Sequence, residues 1–252
     1  MEFPRHKLYQ RIAATVADAI ESGRYLPGAR LPGERDLAEE YKVSRPTIRE
    51  AMIALEMRGL IEVRHGSGLY VAQGKPALQD PRELDTDVGA FELTEARIIV
   101  EGEAVALAAM SMDDAKLAEL DAILEEMAAQ EPGEPGVMDA DRRFHLAIAS
   151  ATENEALRML VELLWDLRTR SPLCITMFDR AKRSGITPRV DEHRPIVEAL
   201  RNRDPAAARA AMRSHLRGVI DDLLAATEHE VMARARNEIN ARRSTVARRI
   251  EL

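Results

Sequence analysis

Three histidines and one aspartate in the second half of the sequence have the spacing of metal ligands carried on helices. His145, His193 and His215 each fall on an apolar stripe of a different predicted helix, so each ring is expected to be buried. Asp141 lies one helical turn before His145, which places its carboxylate and that imidazole on one face. Buried imidazoles and a carboxylate that meet inside a helical bundle supply the ligands of a Zn²⁺ or Ni²⁺ site. The alternative is three core histidines hydrogen-bonded to neighbouring groups, which is the commoner role for any single one.

Charged residues on two other predicted helices could hold an anionic ligand beside these four. Arg97 and Glu101 lie on one apolar stripe, so both side chains are expected to face inwards; the alternative is an ordinary surface pair. Arg168 lies three residues after Trp165 on a further helix, and a planar guanidinium suits a carboxylate by its bidentate geometry. Asn154 begins that helix and is either a polar contact to the ligand or a helix cap.

A set of basic and small residues near the N-terminus has the spacing of a DNA-binding surface. Arg45 and Arg49 are four residues apart and share a helix face, from which a guanidinium can bind guanine O6 and N7 or a phosphate. Glycines at a predicted hairpin tip let the backbone approach the sugar–phosphate wall closely. The alternative for any one arginine is a solvated helix face. The candidate DNA contacts are Arg35, Arg45, Thr47, Arg49, His65 and Gly66.

Apolar periodicity in the N-terminal part predicts three helices and a β-hairpin. The helices cover residues 8–22, 34–41 and the segment between the N-cap Ser44 and Gly59. Apolar residues alternate over 61–71 around the glycine-rich tip, which is the pattern of a short hairpin. Three helices, the second and third joined by a tight turn and followed by a hairpin, are the element order of a winged helix-turn-helix.

The chain after a proline-containing stretch reads as helical, so the sequence predicts a mostly α protein of two domains. The expected division is a winged helix-turn-helix domain over residues 1–74, a linker over 75–90, a helical domain over 91–230 and a basic tail over 231–252. For the arginine-rich tail three alternatives stay open: DNA contact, extension of the last helix, or disorder. Helices are expected at about 91–111, 113–129, 138–150, 153–170, within 173–183, 190–203 and 205–229.

Composition excludes several classes of protein. The 252 residues carry a formal net charge of −7, and 46% of them are hydrophobic, which argues against disorder over the whole length. A single cysteine, Cys174, excludes an intramolecular disulfide and a thiolate-rich metal cage. The sequence has neither an apolar stretch that would cross a bilayer nor the apolar core of a signal peptide at its start. We therefore expect a cytoplasmic protein with no membrane partner.

Three blocks of the N-terminal part resemble the GntR family of bacterial transcription regulators. They cover residues 28–38, 43–51 and 65–71 and occur in the order and at the spacing of that family. The resemblance implies that the third helix enters the major groove of operator DNA and that the hairpin approaches the minor groove. One departure is Gly33, where the family usually has serine or alanine, although glycine is an acceptable N-cap.

The second half resembles the FCD effector domain of one GntR subfamily. The segment Asp141-Arg142-Arg143-Phe144-His145, with His193 and His215, looks like the metal-binding pattern of that domain, and Arg97 matches an arginine that commonly faces the effector. The resemblance implies an antiparallel helical bundle with a divalent metal at the floor of a cavity for a small organic acid. Zinc is the first expectation for the metal, and nickel or manganese are alternatives.

The two resemblances together predict a ligand-responsive DNA-binding regulator that acts as a homodimeric repressor. Short matches, such as the one around Trp165 and Arg168, look like regulators of hexuronate catabolism, so a hexuronate or its metabolite is the expected effector. Another carboxylate, the metal as the signal, or a purely structural metal are alternatives. A metal-dependent hydrolase is a remote one, because the sequence has no His-Glu-Xaa-Xaa-His motif and no phosphate-binding glycine loop. We expect no enzymatic activity.

Overall fold

The computed structural model describes residues 8–64, 68–73, 88–130 and 135–250, the last with backbone alone from residue 228 onwards. The chain divides into two compact units. One contains the N-terminal residues as far as Gly89 together with the chain from Thr227, and the other spans Ala90–Ala226. The predicted DNA contacts His65 and Gly66 lie outside the described residues, as does most of the predicted linker.

The N-terminal unit has the predicted winged helix-turn-helix order. The helices α1 and α2 both pack against α3. The strands β1 and β2 pair antiparallel, with Ile61 opposite Val71, and the backbone of Leu31 donates a hydrogen bond to Leu69 in β2. The hairpin is thereby held to the segment that precedes α2. The elements are α1 (Leu8–Glu21), α2 (Glu34–Tyr41), α3 (Arg45–Met57), β1 (Ile61–Arg64) and β2 (Gly68–Val71).

Local sequence explains how α3 is placed. Lys42 adopts a left-handed conformation with φ of 54°, which ends α2 and reverses the chain within a few residues. Ser44 then caps α3 by accepting a hydrogen bond from the backbone N–H of Thr47, and a proline occupies the first turn. Ile48 and Leu55, both fully buried, fix the side of α3 that faces the core. Residues 48–55 of α3 are all buried, so the exposed part of this helix lies at its N-terminal end, at Arg45.

Helices are the only regular secondary structure in the described residues of the second unit, as predicted. Its core is apolar, with Phe144, Ile196 and Met212 fully buried at the junction of three helices. The helix α4 packs on α6 and α7, and α5 packs on α6 and α9. The helices are α4 (Ala90–Ser111), α5 (Asp114–Ala128), α6 (Pro135–Ala151), α7 (Glu155–Arg170), α8 (Pro172–Arg183), α9 (Val190–Arg201) and α10 (Pro205–Ile250).

The structure differs from the sequence prediction mainly at the ends of helices. Helix α6 begins at Pro135 rather than near residue 138, and α9 ends at Arg201 rather than near residue 203. Helix α10 runs through the predicted tail to Ile250, so of the three alternatives for residues 231–250 the structure has the extended helix. Among the described residues no helix combines the length and the apolar character that crossing a bilayer requires.

Candidate metal centre and ligand cavity

The four predicted metal ligands meet inside the helical unit. Asp141 and His145 come from α6, His193 from α9 and His215 from α10, and one potential ligand atom from each lies within 4.8 Å of the other three. All four side chains are buried. We call these four residues the His–Asp cluster.

The hydrogen bonds of two cluster histidines orient their rings. The Nδ1 of His193 lies 2.8 Å from the backbone oxygen of Arg189, which can only accept, so Nδ1 donates this hydrogen bond and Nε2 faces the cluster. That Nε2 lies 3.0 Å from Oδ1 of Asp141. The Nδ1 of His145 is hydrogen-bonded to the Glu101 carboxylate, which leaves its Nε2 3.6 Å from the same Asp141 oxygen. A second partner that fixes ring and tautomer in this way is typical of metal-binding histidines.

Two buried nitrogens of the His–Asp cluster have no hydrogen-bond partner among the described residues. They are Nε2 of His145 and Nδ1 of His215. Buried polar atoms are rarely left unsatisfied, because the loss of their hydration is not recovered. A divalent cation bound by three imidazoles and one carboxylate would satisfy them, and this donor set suits zinc, nickel or manganese. The residues of the cluster therefore fit a metal ion.

Burial and charge set the ionisation of the site. Burial raises the pKa of Glu101, but the Arg97 guanidinium and the His145 ring outweigh it and lower that pKa to about 2. Burial likewise opposes ionisation of Asp141, yet the His145 and His193 rings beside its carboxylate outweigh burial and hold its pKa well below the ordinary value. Burial, together with His193 and His145, lowers the pKa of His215 and keeps its ring neutral. The ionised Asp141 and the neutral His215 ring are thus in the forms that bind metals.

His145 departs from that arrangement. Burial lowers its pKa, but the charge and hydrogen bond of Glu101, together with the nearby Asp141 carboxylate, outweigh burial and raise it above the ordinary value. A cation at Nε2 of His145 would therefore replace a proton that the neighbouring carboxylates favour.

Two buried arginines lie beside the His–Asp cluster, and both contact the ring of Trp165. Arg97 donates from Nε to Glu101 over 2.6 Å, while its Nη2 has no hydrogen-bond partner among the described residues. Arg168 donates from Nη1 to Asp141 over 3.3 Å, and burial lowers its pKa to about 10. The guanidinium carbons of Arg97 and Arg168 lie 4.2 and 5.0 Å from the centroid of the Trp165 ring. The indole thus positions both cations by packing and cation–π attraction.

A cavity of about 190 Å³ opens over the cluster. Of the predicted effector residues, Arg97 and Arg168 line it. Glu101 lies behind Arg97 and contacts His145 instead. Asn154 is exposed and caps α7 by accepting a hydrogen bond from the backbone N–H of Leu157, so the structure favours the capping alternative for it. Asp141 and His215 also line the cavity.

Several lining residues were missed by sequence reasoning. They come from α8, α9, α10 and the loop before α9, and most of them lack a periodic pattern that would single them out. Only Glu192 could have been proposed from the sequence, because it directly precedes the cluster residue His193. The missed lining residues with polar or charged side chains are Asp179, Lys182, Thr187, Glu192 and Asp222.

The predicted DNA contacts of the N-terminal unit differ in exposure. Arg45 is exposed at the start of α3, and the Arg35 side chain is 83% exposed. Thr47 is half-buried and shares a hydrogen bond with the Ser44 hydroxyl over 2.8 Å. Arg49 contradicts the expectation of an outward-facing side chain, because it is 5% exposed and forms a bidentate ion pair with Glu34. On the predicted DNA-binding face of α3, Arg45 is therefore accessible to solvent and Arg49 is not.

The comparisons with known proteins identify both parts of the chain. Residues 8–71 match the bacterial regulatory proteins of the gntR family, and residues 92–218 match the FCD domain. The chain therefore belongs to the GntR family and to its FCD-containing branch, which defines it as a ligand-responsive DNA-binding transcriptional regulator.

The chain is similar to several individual regulators. The chain is 37% identical to the Exu regulon transcriptional regulator of Escherichia coli over 215 residues, which cover 83% of this chain and 82% of that protein. It is 36% identical to the Uxu operon transcriptional regulator of Escherichia coli over 224 residues, 86% of each chain. A solved GntR-family regulator from Pseudomonas syringae pv. tomato matches with 24% identity and a TM-score of 0.48, covering 94% of this chain and 91% of that one.

Proposed function

We propose that this chain represses genes of sugar-acid catabolism and releases its operator when a hexuronate or an early hexuronate metabolite binds in the cavity. The observation that carries the proposal is the pair of buried arginines, Arg97 and Arg168, that line one cavity with members of the His–Asp cluster. The relatives named for the Exu regulon and the Uxu operon support the ligand class. If a different carboxylic acid released the operator, that acid and not a hexuronate would be the effector.

The cationic wall of the cavity suits a carboxylate. The Nη2 of Arg97 is a buried donor without a partner among the described residues, and an anionic oxygen is its strongest acceptor. Arg168 is already bound to Asp141 through Nη1, so its remaining donors can bind the same anion. A carboxylate in this place would be held by charge-assisted hydrogen bonds in a site that excludes most of the water.

The proposal includes a divalent ion, zinc first, held by Asp141, His145, His193 and His215. When bound, such an ion supplies positive charge that holds an oxygen ligand of the effector. The two unpartnered imidazole nitrogens and the ionised Asp141 support this assignment. We assign the site to binding and not to turnover, because the relatives are regulators. Metal analysis of the purified protein distinguishes zinc from nickel and manganese.

A homodimer is the form in which we propose that the protein binds DNA in the cytoplasm. Helices α4 and α7 pack on each other, and both expose large apolar side chains that a monomer would leave in water. A second copy of the chain would cover them and present two α3 helices to a palindromic operator with half-sites about 34–36 Å apart. We call this surface the α4–α7 face; it consists of Ile99, Leu107, Met110, Met159, Leu160 and Leu163.

Control by a ligand requires two arrangements of the protein, one that binds operator DNA and one that does not, with different affinities for the effector. The effector releases DNA only if it binds the DNA-incompetent arrangement more tightly than the competent one. An effector with equal affinity for both arrangements would leave operator binding unchanged at any concentration.

Operator binding in the presence of candidate effectors tests the proposal. The probe is the DNA upstream of the protein's own gene and its neighbours, titrated with and without glucuronate, galacturonate and their keto-acid products. We expect binding that one of these acids reverses, and no reversal in Arg97→Gln. DNA binding that none of the acids affects would refute the sugar-acid assignment. Substitution of Arg97 that abolishes effector binding but leaves release intact would refute the role of the cavity.

A further inference from the structure

The cavity carries acidic side chains as well as the two arginines. Asp179, Glu192 and Asp222 line it from α8, α9 and α10, and Lys182 is the further cation among its lining residues. Arg97 and Arg168 come from α4 and α7, and α8 contributes the cation Lys182 as well as the carboxylate of Asp179, so the cavity presents both donors and carboxylate acceptors. A ligand that fills this space must meet both kinds of group.

Asp222 is half-buried and has no hydrogen-bond partner among the described residues, although it lines the cavity. Burial raises its pKa, and the charge of Glu192 adds to that effect while Arg189 opposes it and Asp221 contributes a small increase. Asp222 and Glu192 are therefore close enough to interact. A half-buried carboxylate without donors is an acceptor that a ligand can satisfy.

Glu192 is only partly satisfied by the protein. Its Oε1 accepts a hydrogen bond from Nε of Arg189 over 2.7 Å. Its Oε2 lies 3.8 Å from Nδ1 of His215, which is beyond hydrogen-bond distance. Glu192 and Asp222 together offer several carboxylate oxygens to the cavity and few protein donors to bind them.

We propose that Asp222 and Glu192 bind hydroxyl groups of the effector and reject a second carboxylate. This inference rests on the proposed function and specifies its ligand class: a polyhydroxy acid with one carboxylate, in preference to a dicarboxylic acid of the same length. Hydroxyl groups donate to carboxylates, whereas a second anionic group near Asp222 and Glu192 meets like charge. The single carboxylate binds the arginines, where Nη2 of Arg97 is a buried donor with no partner among the described residues.

The test compares galacturonate with galactarate, the six-carbon acid that has carboxylates at both ends. Binding is followed by the fluorescence of Trp165, the single tryptophan, which contacts both Arg97 and Arg168. The test variant is Asp222→Asn. Its matched control is Asp221→Asn, which removes the same charge from an exposed position that does not line the cavity. Glu192→Gln is a second variant, so that misfolding of one protein does not decide the result.

We expect the wild type and Asp221→Asn to prefer galacturonate by the same ratio. In Asp222→Asn the preference should fall by about tenfold or more, since a hydrogen bond to a charged group and a like-charge contact both contribute to it. An unchanged preference in Asp222→Asn and Glu192→Gln, or a wild type that prefers galactarate, would overturn the inference and leave the proposed function standing. A wild type that binds no sugar acid would refute the proposed function, and the inference with it.

Discussion

Glu101 is the side chain that joins Arg97 to the His–Asp cluster. It accepts a hydrogen bond from Arg97 on its own helix and binds Nδ1 of His145 on α6. Glu101 is ionised at neutral pH and orients the His145 ring, so its carboxylate would act on the proposed metal through that ligand. The i,i+4 pair that could have been a surface ion pair is thus a buried part of the site.

Glu101→Gln should weaken metal binding. The amide cannot supply the negative charge that orients His145, and loss of such an outer partner costs about 10–100-fold in metal affinity. Competition with a chromophoric chelator measures the change. Glu103→Gln, an exposed acid on the same helix that pairs with Arg209 and Arg213, is the control and should leave the affinity unchanged. Equal affinities in both variants and the wild type would contradict the role given to Glu101.

Substitutions of Arg49 and Arg45 should have different effects, the first on stability and the second on DNA affinity. Arg49→Ala breaks a bidentate ion pair between α3 and α2 and leaves Glu34 without its partner, so the free energy of unfolding should fall by about 1–3 kcal/mol. Arg45→Ala removes an exposed side chain and should reduce operator affinity with unfolding unchanged. Urea denaturation and operator titration on both variants check this. Equal stability of the two variants would show that the Arg49–Glu34 pair contributes nothing to folding.

At the scale of single elements, α7 shows how one helix serves two purposes. Its N-terminus is fixed by Asn154, whose side chain accepts a hydrogen bond from the first turn. Its C-terminal half carries Trp165 and Arg168 into the site. Asn154→Ala should therefore cost about 0.5–2 kcal/mol of stability while effector affinity stays that of the wild type. Thermal unfolding and tryptophan fluorescence measure the two effects, and Asn154→Asp should restore the cap. If Asn154→Ala lost effector affinity and kept full stability, Asn154 would be a ligand contact, the other role that the sequence allowed.

The existence of the helices, the hairpin and the burial of the three histidines could be predicted because each depends on local periodicity. Apolar residues at helical spacing fix which face is inside, and a histidine among them is carried inwards with it. The same rule predicted that Arg97 and Glu101 face the interior, and both are buried. Local turn chemistry also predicted the capping of α3 by Ser44.

Contacts between distant segments could not be predicted in this way. Helical phase placed Arg49 away from the core stripe of α3, but Glu34 on α2 draws its guanidinium back into a buried pair. The loop before α9 contributes Thr187 to the cavity through tertiary packing, for which the sequence has no periodic signal. Helix α10 extends beyond residue 230 although no apolar stripe sustains it there, since arginine and alanine favour helix by intrinsic propensity.

At the scale of the whole molecule, the proposed regulator needs two copies of the chain. Leu163→Glu should shift the protein from dimer to monomer, because a charge on the α4–α7 face would lose hydration on association. Ile175→Glu is the control, since Ile175 is a similarly exposed apolar residue on α8 and lies outside that face. Sedimentation equilibrium distinguishes the two states. A dimeric Leu163→Glu protein would place the dimer interface elsewhere.

We expect effector in the cavity and operator at the N-terminal unit to exclude each other through one shared equilibrium. Thermodynamic linkage makes this effect reciprocal: the effector and the operator must lower each other's affinity by the same factor. The most direct measurement is the hexuronate titration of Trp165 fluorescence with and without saturating operator DNA. We predict that operator DNA weakens hexuronate binding by the same factor by which hexuronate weakens operator binding. Hexuronate affinity that is unchanged by operator DNA would show that effector binding and operator binding are not coupled.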